Sequence, residues 1–353
     1  MSVTFKDVAE LAGVSTQTVS RVTNDSSNVA EETRKKVTAA IEQLGYVPNK
    51  GAQLLSRAKS NVIGLVTLDI GLHGVSLIAN GIRKQADEKG FGTSFSVLIE
   101  PTFESVLNCV RDLKSQKTET IILNVPMSQD DAERLVQQHL DIHFVFIDVP
   151  TSTRVNTVCS SHYNGGCLAA QLMIDDKREQ LLLITGPSDS SASLQRLQGW
   201  KDILTSSTAT IQEVFEGDWH ASSAYLHTRH AIAKGVKFDA ILVASDQMSL
   251  GVLRALDEFS ISVPKQVAVI GFDDITDCAY FSPPLTTIKQ DFQAIGQIAV
   301  DLALDDSVEN RNNKKEEVET KLIKRKSTAI KDNTSYDKIT IQKLLADIDN
   351  LLP

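Results

Sequence analysis

From Asn61 to about Thr328 the chain alternates short apolar runs with amphipathic stretches. The apolar runs are Val62–Thr67, Thr93–Val97, Ile121–Leu123, Phe144–Ile147, Leu181–Ile184, Ala240–Ala244 and Val267–Phe272. Their lengths suit strands buried on both faces, as in a parallel sheet. Between them, Val75–Lys89, Phe103–Ser115, Asp130–Gln138, Gly165–Ile174, Leu194–Leu204 and Gln247–Phe259 read as helices. Alternation of this kind predicts a doubly wound α/β architecture, and about 260 residues of it predict two lobes.

The two ends have a different texture. Residues 1–46 read as short helices with tight turns, and residues 47–59 as a polar link. Residues 60–330 form the two-lobed core, with lobe one at about 60–159 and 291–319 and lobe two at about 160–290 and 320–330. Asp305–Glu319 reads as a charge-rich loop. In the segment 334–353, Ile341, Leu344, Ile348 and Leu351 are spaced three, four and three apart, an a/d seam of barely two heptads. A helix that short needs partners, which copies of the same chain can supply. This segment is expected to join the chains into tetramers as an antiparallel four-helix bundle.

Composition narrows the class. Hydrophobic content of 42% and charged content of 23% fit a globular protein, and no apolar run approaches the ~20 residues that span a bilayer. The first ten residues carry acids where a secretory signal has its apolar stretch, so the cytosol, at the nucleoid, is the expected location and no membrane partner is expected. The four cysteines are scattered with no CxxC pair, which argues against a disulfide framework and a structural metal. The net charge of −9 argues against nucleic acid until it is divided. Residues 1–59 hold eight Lys+Arg against six Asp+Glu, while the rest holds 28 against 39. Only the N-terminal piece has the sign that phosphate attracts.

That piece contains the strongest signal, Val8 to Arg21. Ala9 lets two helices cross closely, and Gly13 can take the left-handed backbone of a tight turn. Val8, Val14 and Val19 suit the seam between the helices, and Ser15 suits the N-cap of the second. Thr16, Gln17 and Arg21 then project outward, where a major groove could meet them. A third helix, Glu31–Leu44, closes the small core through Val37, Ala40, Ile41 and Leu44. Its cap position falls on Ala30, which cannot accept from the helix amides.

In the long segment, Asp69, Asn124, Asp148, Ser245 and Asp273 each follow a strand. Ligands of open α/β sheets bind outside the carboxyl ends of the strands, so two facing lobes would line one cleft with carboxylates and amides. Any one of these residues could simply cap the next helix; five at equivalent places point to a polyhydroxyl ligand. Arg196 and Trp219 add a donor fork and a flat apolar face. No dinucleotide fingerprint, P-loop, HExxH or nucleophile elbow is present, and His73, His143, His162 and His220 stand isolated, so no catalytic residue, cofactor or metal is expected. A periplasmic sugar-binding protein would share the two-lobed fold but would not carry residues 1–59.

The run DVAELAGVSTQTVSRV, followed by TRKKVTAAIEQLGYVPN, resembles the LacI/GalR family of bacterial regulators. EGDW at 216–219, ASDQMSLG at 244–251 and PPLTTIKQDF at 283–292 extend the resemblance. It implies a homodimeric repressor that grips double-stranded operator DNA and releases it when a galactoside-like sugar inducer binds. The DNA-contacting set it implies is Thr4, Ser15, Thr16, Gln17, Thr18, Ser20, Arg21, Asn24, Thr33 and Tyr46, with Asn49, Gln53 and Leu55 in a hinge helix. Leu55 would be the apolar wedge levered into the minor groove. The implied ligand set is Leu72, Asn124, Asp148, Arg196, Trp219, Ser245, Asp273, Gln290 and Phe292. Three positions depart from the pattern: Thr16 replaces a tyrosine, Ser245 an asparagine and Leu68 a pocket serine. A repressor tuned to another sugar, or to none, is the alternative that Ser245 and Leu68 leave open.

Overall fold

In the computed structural model, which describes residues 3–23, 28–47, 60–305 and 313–328, the chain begins with three helices. They are α1 (Phe5–Ala12), α2 (Thr16–Thr23) and α3 (Glu31–Leu44). Thr4 starts the first by donating its backbone N–H and its hydroxyl to Asp7 Oδ2, both at 2.8 Å. Gly13 ends it at φ 64°, in the left-handed region that glycine enters without a Cβ clash. Ser15 Oγ then accepts from the Thr18 amide at 3.1 Å and caps α2. Val8, Val19 and Val37 are fully buried between the helices, with Ala9, Val22 and Ala40 beside them. Each fully buried valine contributes about 2 kcal/mol, so a core of this size leaves little margin.

Ala30 stands at the N-cap of α3 and offers no side-chain acceptor. Ala30→Ser is expected to stabilise these three helices by about 1 kcal/mol. Hydrogen exchange of the α3 amides would show it as increased protection; unchanged protection would mean that the first-turn amides are already satisfied.

Two six-stranded sheets follow, built on one plan. The first contains β1 (Val62–Thr67), β2 (Gly92–Val97), β3 (Thr120–Asn124), β4 (His143–Phe146) and β5 (Thr157–Ser160), with β11 (Lys315–Val318) at its edge. The second contains β6 (Gln180–Thr185), β7 (Thr210–Glu216), β8 (Ala240–Val243), β9 (Ala268–Asp273) and β10 (Thr286–Lys289), with β12 (Lys321–Ile323) at its edge. Their strand orders, β11-β5-β4-β3-β1-β2 and β12-β10-β9-β8-β6-β7, correspond position by position. All pairings are parallel except β10 with β12. Parallel strands covered on both faces need apolar side chains all along, and β6, β8 and β9 are buried at nearly every position.

The covering helices are α4 (His73–Glu88), α5 (Phe103–Ser115), α6 (Gln129–Gln138), α7 (His162–Asp175), α8 (Ser191–Thr205), α9 (Ala221–Ala233), α10 (Asp246–Glu258) and α11 (Phe292–Ala303). Five of them start on a side chain that accepts from the third residue inward: Thr102, Ser128, Ser190, Ser245 and Asp291. The chain passes between lobes three times, from β5 into α7, from β10 into α11 and from β11 into β12. Thus α7 packs in the core of the second lobe, and α11 packs against α4 in the first. No helix among the described residues is long and apolar enough to cross a membrane.

Several sequence expectations are corrected. Thr93–Val97 is not buried on both faces: β2 is an edge strand, and Phe95 and Val97 are about half exposed. The expected loop Asp305–Glu319 contains β11, whose alternating exposed and half-buried residues pair with β5. Apolar continuity could not reveal it, because an edge strand needs only backbone partners and one covered face. Strands β5, β7, β10 and β12 and helices α9 and α11 also escaped the pattern. Asn24, Asn49, Gln53, Leu55, Ile341, Leu344, Ile348 and Leu351 lie outside the described residues.

Candidate functional site

The carboxyl ends of the two sheets face each other across a cleft with a cavity of about 140 Å³. Leu72, Asn124, Asp148 and Phe292 line it from the first lobe, and Arg196, Trp219, Ser245, Asp273 and Gln290 from the second. The nine residues singled out for a ligand are therefore brought together. Asn124 ends β3, which lies beside β1 where the first sheet's strand order reverses, while Asp148 follows β4 and Asp273 ends β9, each one strand further from the reversal in its sheet. Open α/β sheets bind ligands outside the carboxyl ends of their strands, around such a reversal.

Arg196 organises the second lobe's wall. Its side chain is 5% exposed, and its guanidinium donates to the Ala244 carbonyl. The same group lies 3.8 Å from Asp273 Oδ1 and 3.4 Å from His162 Nδ1, and it sits over the Phe272 ring at 3.9 Å and the Trp219 ring at 5.4 Å. Gln290 Nε2 donates to the same Asp273 oxygen at 2.6 Å. Burial pushes the Asp273 carboxyl up to about 8, against the opposing charge of Arg196. Burial also raises Asp148 and Asp246. The His162 ring is held well below its usual range, first by burial and then by Arg196, so it stays neutral and its Nδ1 can accept from the guanidinium.

Two of the lining residues hold backbone conformations that normally favour glycine, Trp219 at φ 72° and Asp273 at φ 132°. Each costs on the order of 1–3 kcal/mol and persists only where the surroundings over-determine it. Trp219 shows how: its indole lies on Gly186, where a Cβ would come within 2.3 Å of the ring. Only a glycine allows that approach, which fixes the indole as one face of the cavity.

Eight buried side-chain polar atoms among the described residues lack a hydrogen-bond partner, and three belong to residues that line this cavity: Asn124 Nδ2, His73 Nε2 and Ser160 Oγ. An unpaired buried donor or acceptor costs about 1–3 kcal/mol, so a ligand rich in hydroxyls gains by satisfying them. A hydrogen bond also crosses the cleft, from the Ala192 amide at the start of α8 to Asp148 Oδ1 at 3.0 Å.

Some assignments change. Ser245 Oγ accepts from the Met248 amide at 3.1 Å, so its hydroxyl acts as the N-cap of α10 although the residue lines the cavity. Leu68 is not part of the lining; it packs on the core of the first lobe, and the expected loss of polarity there does not reach the site. Asp69 accepts from the Gly71 amide at 2.7 Å and lies outside the lining, as its carboxylate is used by the turn. His162 is not isolated but buried against Arg196. Sequence reasoning missed His73, Ser160 and Ser190. Ser160 ends a strand too short to read, whereas Ser190 could have been found as a serine immediately before an apolar helix.

At the N-terminal end, Thr16, Gln17 and Arg21 are exposed on one side of α2, and Thr18 and Ser20 are half-buried. Ser15 and Thr4 are exposed but already engaged in the caps of α2 and α1. Thr33 is half-buried on α3, and Tyr46 packs against Phe5 at 5.5 Å between ring centroids. An exposed row of amide, hydroxyl and guanidinium on a short second helix has the groups that read base edges.

Residues 4–49 match the model of bacterial regulatory proteins, lacI family, and residues 170–328 match that of a periplasmic binding protein-like domain. The lactose operon repressor of Escherichia coli (strain K12) is 37% identical over 326 residues, covering 92% of this chain and 91% of its own. The HTH-type transcriptional repressor PurR of Vibrio atlanticus (strain LGP32) is 30% identical over 306 residues, covering 86% and 91%. Among solved structures, a lac repressor dimer bound to operator and the anti-inducer ONPF aligns with a TM-score of 0.87 and 36% identity, over 94% of this chain and 100% of that one. A complex of the transcriptional regulator CelR with cellobiose aligns with a TM-score of 0.68 and 28% identity, over 92% and 99%.

Proposed function

The chain belongs to the lacI family of bacterial regulatory proteins, and from this premise we propose that it represses a sugar-utilisation operon and leaves its operator when a galactoside-type sugar enters the cleft. It is a DNA-binding repressor with a sugar-binding domain, not an enzyme. The observation that carries the sugar response is the inter-lobe cavity, whose lining joins Asp148, Asp273 and Arg196 with Asn124, His73 and Ser160, three residues that each have an unpaired buried polar atom.

A sugar bonded to both walls favours one arrangement of the lobes. If only the other arrangement lets paired N-terminal helices sit in successive major grooves, sugar and operator oppose each other, and each weakens the other by the same factor. Thr16, Gln17 and Arg21 read base edges; Asn24, Thr33, Tyr46 and the link 47–59 position the chain on the duplex, with Leu55 as a wedge. The working unit is a homodimer, and the spacing of Ile341, Leu344, Ile348 and Leu351 supports pairing of dimers into tetramers.

Operator affinity of the full chain, measured with and without a panel of galactosides, tests this. At least a tenfold weakening by one of them is expected, equivalent to about 1.4 kcal/mol of coupling. Unchanged affinity with all of them would remove the galactoside from the reading. A different sugar is the second reading, favoured by Ser245, whose hydroxyl is committed to the α10 cap.

A further inference from the structure

The cleft contains a second and larger space. A cavity of about 590 Å³ lies beside the inner one of about 140 Å³, and both are walled by both lobes. The partition is one residue thick: Ser190 and Ala192 line the inner cavity while Ser191 lines the outer, and Asp148 lines the inner while Pro150 lines the outer. The Ala192–Asp148 hydrogen bond ties this partition across the cleft.

We propose that the outer cavity is a second subsite of the same cleft, which takes the further rings of a neutral oligosaccharide whose first ring lies in the inner cavity. This rests on the sugar-responsive reading above. Three properties of the wall support it. Phe103, Pro126 and Met127 from the first lobe and Leu194 from the second give flat apolar surface of the kind on which the C–H faces of sugar rings pack. The Phe103 ring is held in place by the Arg134 guanidinium, 4.7 Å from its centroid. Gln195, Thr151 and Asp189 add polar groups for ring hydroxyls. The charged residues of the lining, Asp131 and Asp189, are both acidic, which disfavours a phosphorylated sugar. Passage from one cavity to the other requires the ligand to replace the hydrogen bonds that Asp148 accepts from Ala192, Ser190 and Ser191: ring hydroxyls donated to Asp148 take their place.

Calorimetric titration of the full-length protein with methyl galactoside, lactose, galactosyl-lactose and a phosphate ester of lactose tests the assignment. Affinity is expected to rise about tenfold from the monosaccharide to the trisaccharide and to fall about tenfold from lactose to its phosphate ester. Leu194→Trp fills the outer cavity from a side chain that is 49% exposed, and Phe103→Ala removes the aromatic wall. Each is expected to erase most of the gain with length, which is read as a ratio of affinities within one variant. Equal affinity for every length, a gain that survives both variants, or the same proportional loss for every sugar would overturn the outer subsite while methyl galactoside binding keeps the inner one. Binding of none of these sugars would overturn the galactoside reading as well.

Discussion

Replacing Thr16, Gln17 and Arg21 together by alanine is expected to weaken specific operator binding about a thousandfold or more. Each side chain that reads a base edge contributes about 1–3 kcal/mol of discrimination, and three at about 2 kcal/mol each exceed the roughly 4 kcal/mol that a thousandfold represents. All three side chains are exposed on α2, so the fold should change little: exposed substitutions of this kind stay within about 0.5 kcal/mol each. The apolar seam of Val8, Val19 and Val37 and the Ser15 cap are untouched. Binding to unrelated duplex DNA, which depends on phosphate contacts, should fall far less. Gel shifts against a selected operator and a scrambled duplex separate the two terms. A triple variant that holds its preferred duplex as tightly as the parent would refute the assignment of α2 to the groove.

Arg196→Leu is expected to have the largest effect in the cleft. The guanidinium is buried, donates to the Ala244 carbonyl and lies within 3.8 Å of Asp273 and 3.4 Å of His162. Its removal leaves those acceptors unsatisfied inside the protein and takes away the cation stacked on Phe272 and Trp219. A loss of about 3 kcal/mol in core stability is expected, together with at least a hundredfold loss of sugar affinity. Arg196→Lys keeps the charge but not the planar fork, so it should recover part of the stability and little of the affinity. Urea unfolding reads the first quantity and calorimetry the second. Sugar binding undiminished in a folded Arg196→Leu protein would show that the cavity wall is not the recognition surface.

Much of this was legible in the residues, for physical reasons. β1, β3, β6, β8 and β9 were visible because central parallel strands must be apolar on both faces. The six helices expected in the two lobes were visible because each presents one apolar stripe to a sheet. The cleft residues could be located because parallel sheets place ligands at strand ends, and Asn124, Asp148 and Asp273 are polar residues standing where an apolar run stops. What stayed hidden lies at edges and crossings. β11 and β12 are short, polar and held by backbone pairing, while β5 and β10 are four residues long. His162 looked incidental because its meaning depends on Arg196, 34 residues away in the chain. Ser245 and Leu68 show the opposite limit: the hydroxyl of a residue that lines the cavity serves a helix cap, and a side chain expected in the lining turns into the core.

The three passages between lobes have a further consequence for how the molecule is wired. The chain enters the core through β1, in the first lobe, and its last described strand, β12, belongs to the second. Whatever is attached upstream therefore rides on one half of the jaw, and whatever is attached downstream rides on the other. A twist of the jaw therefore moves the two points of attachment relative to each other. Such wiring lets an upstream reader be exchanged for one of different specificity without rebuilding the jaw that sets its posture.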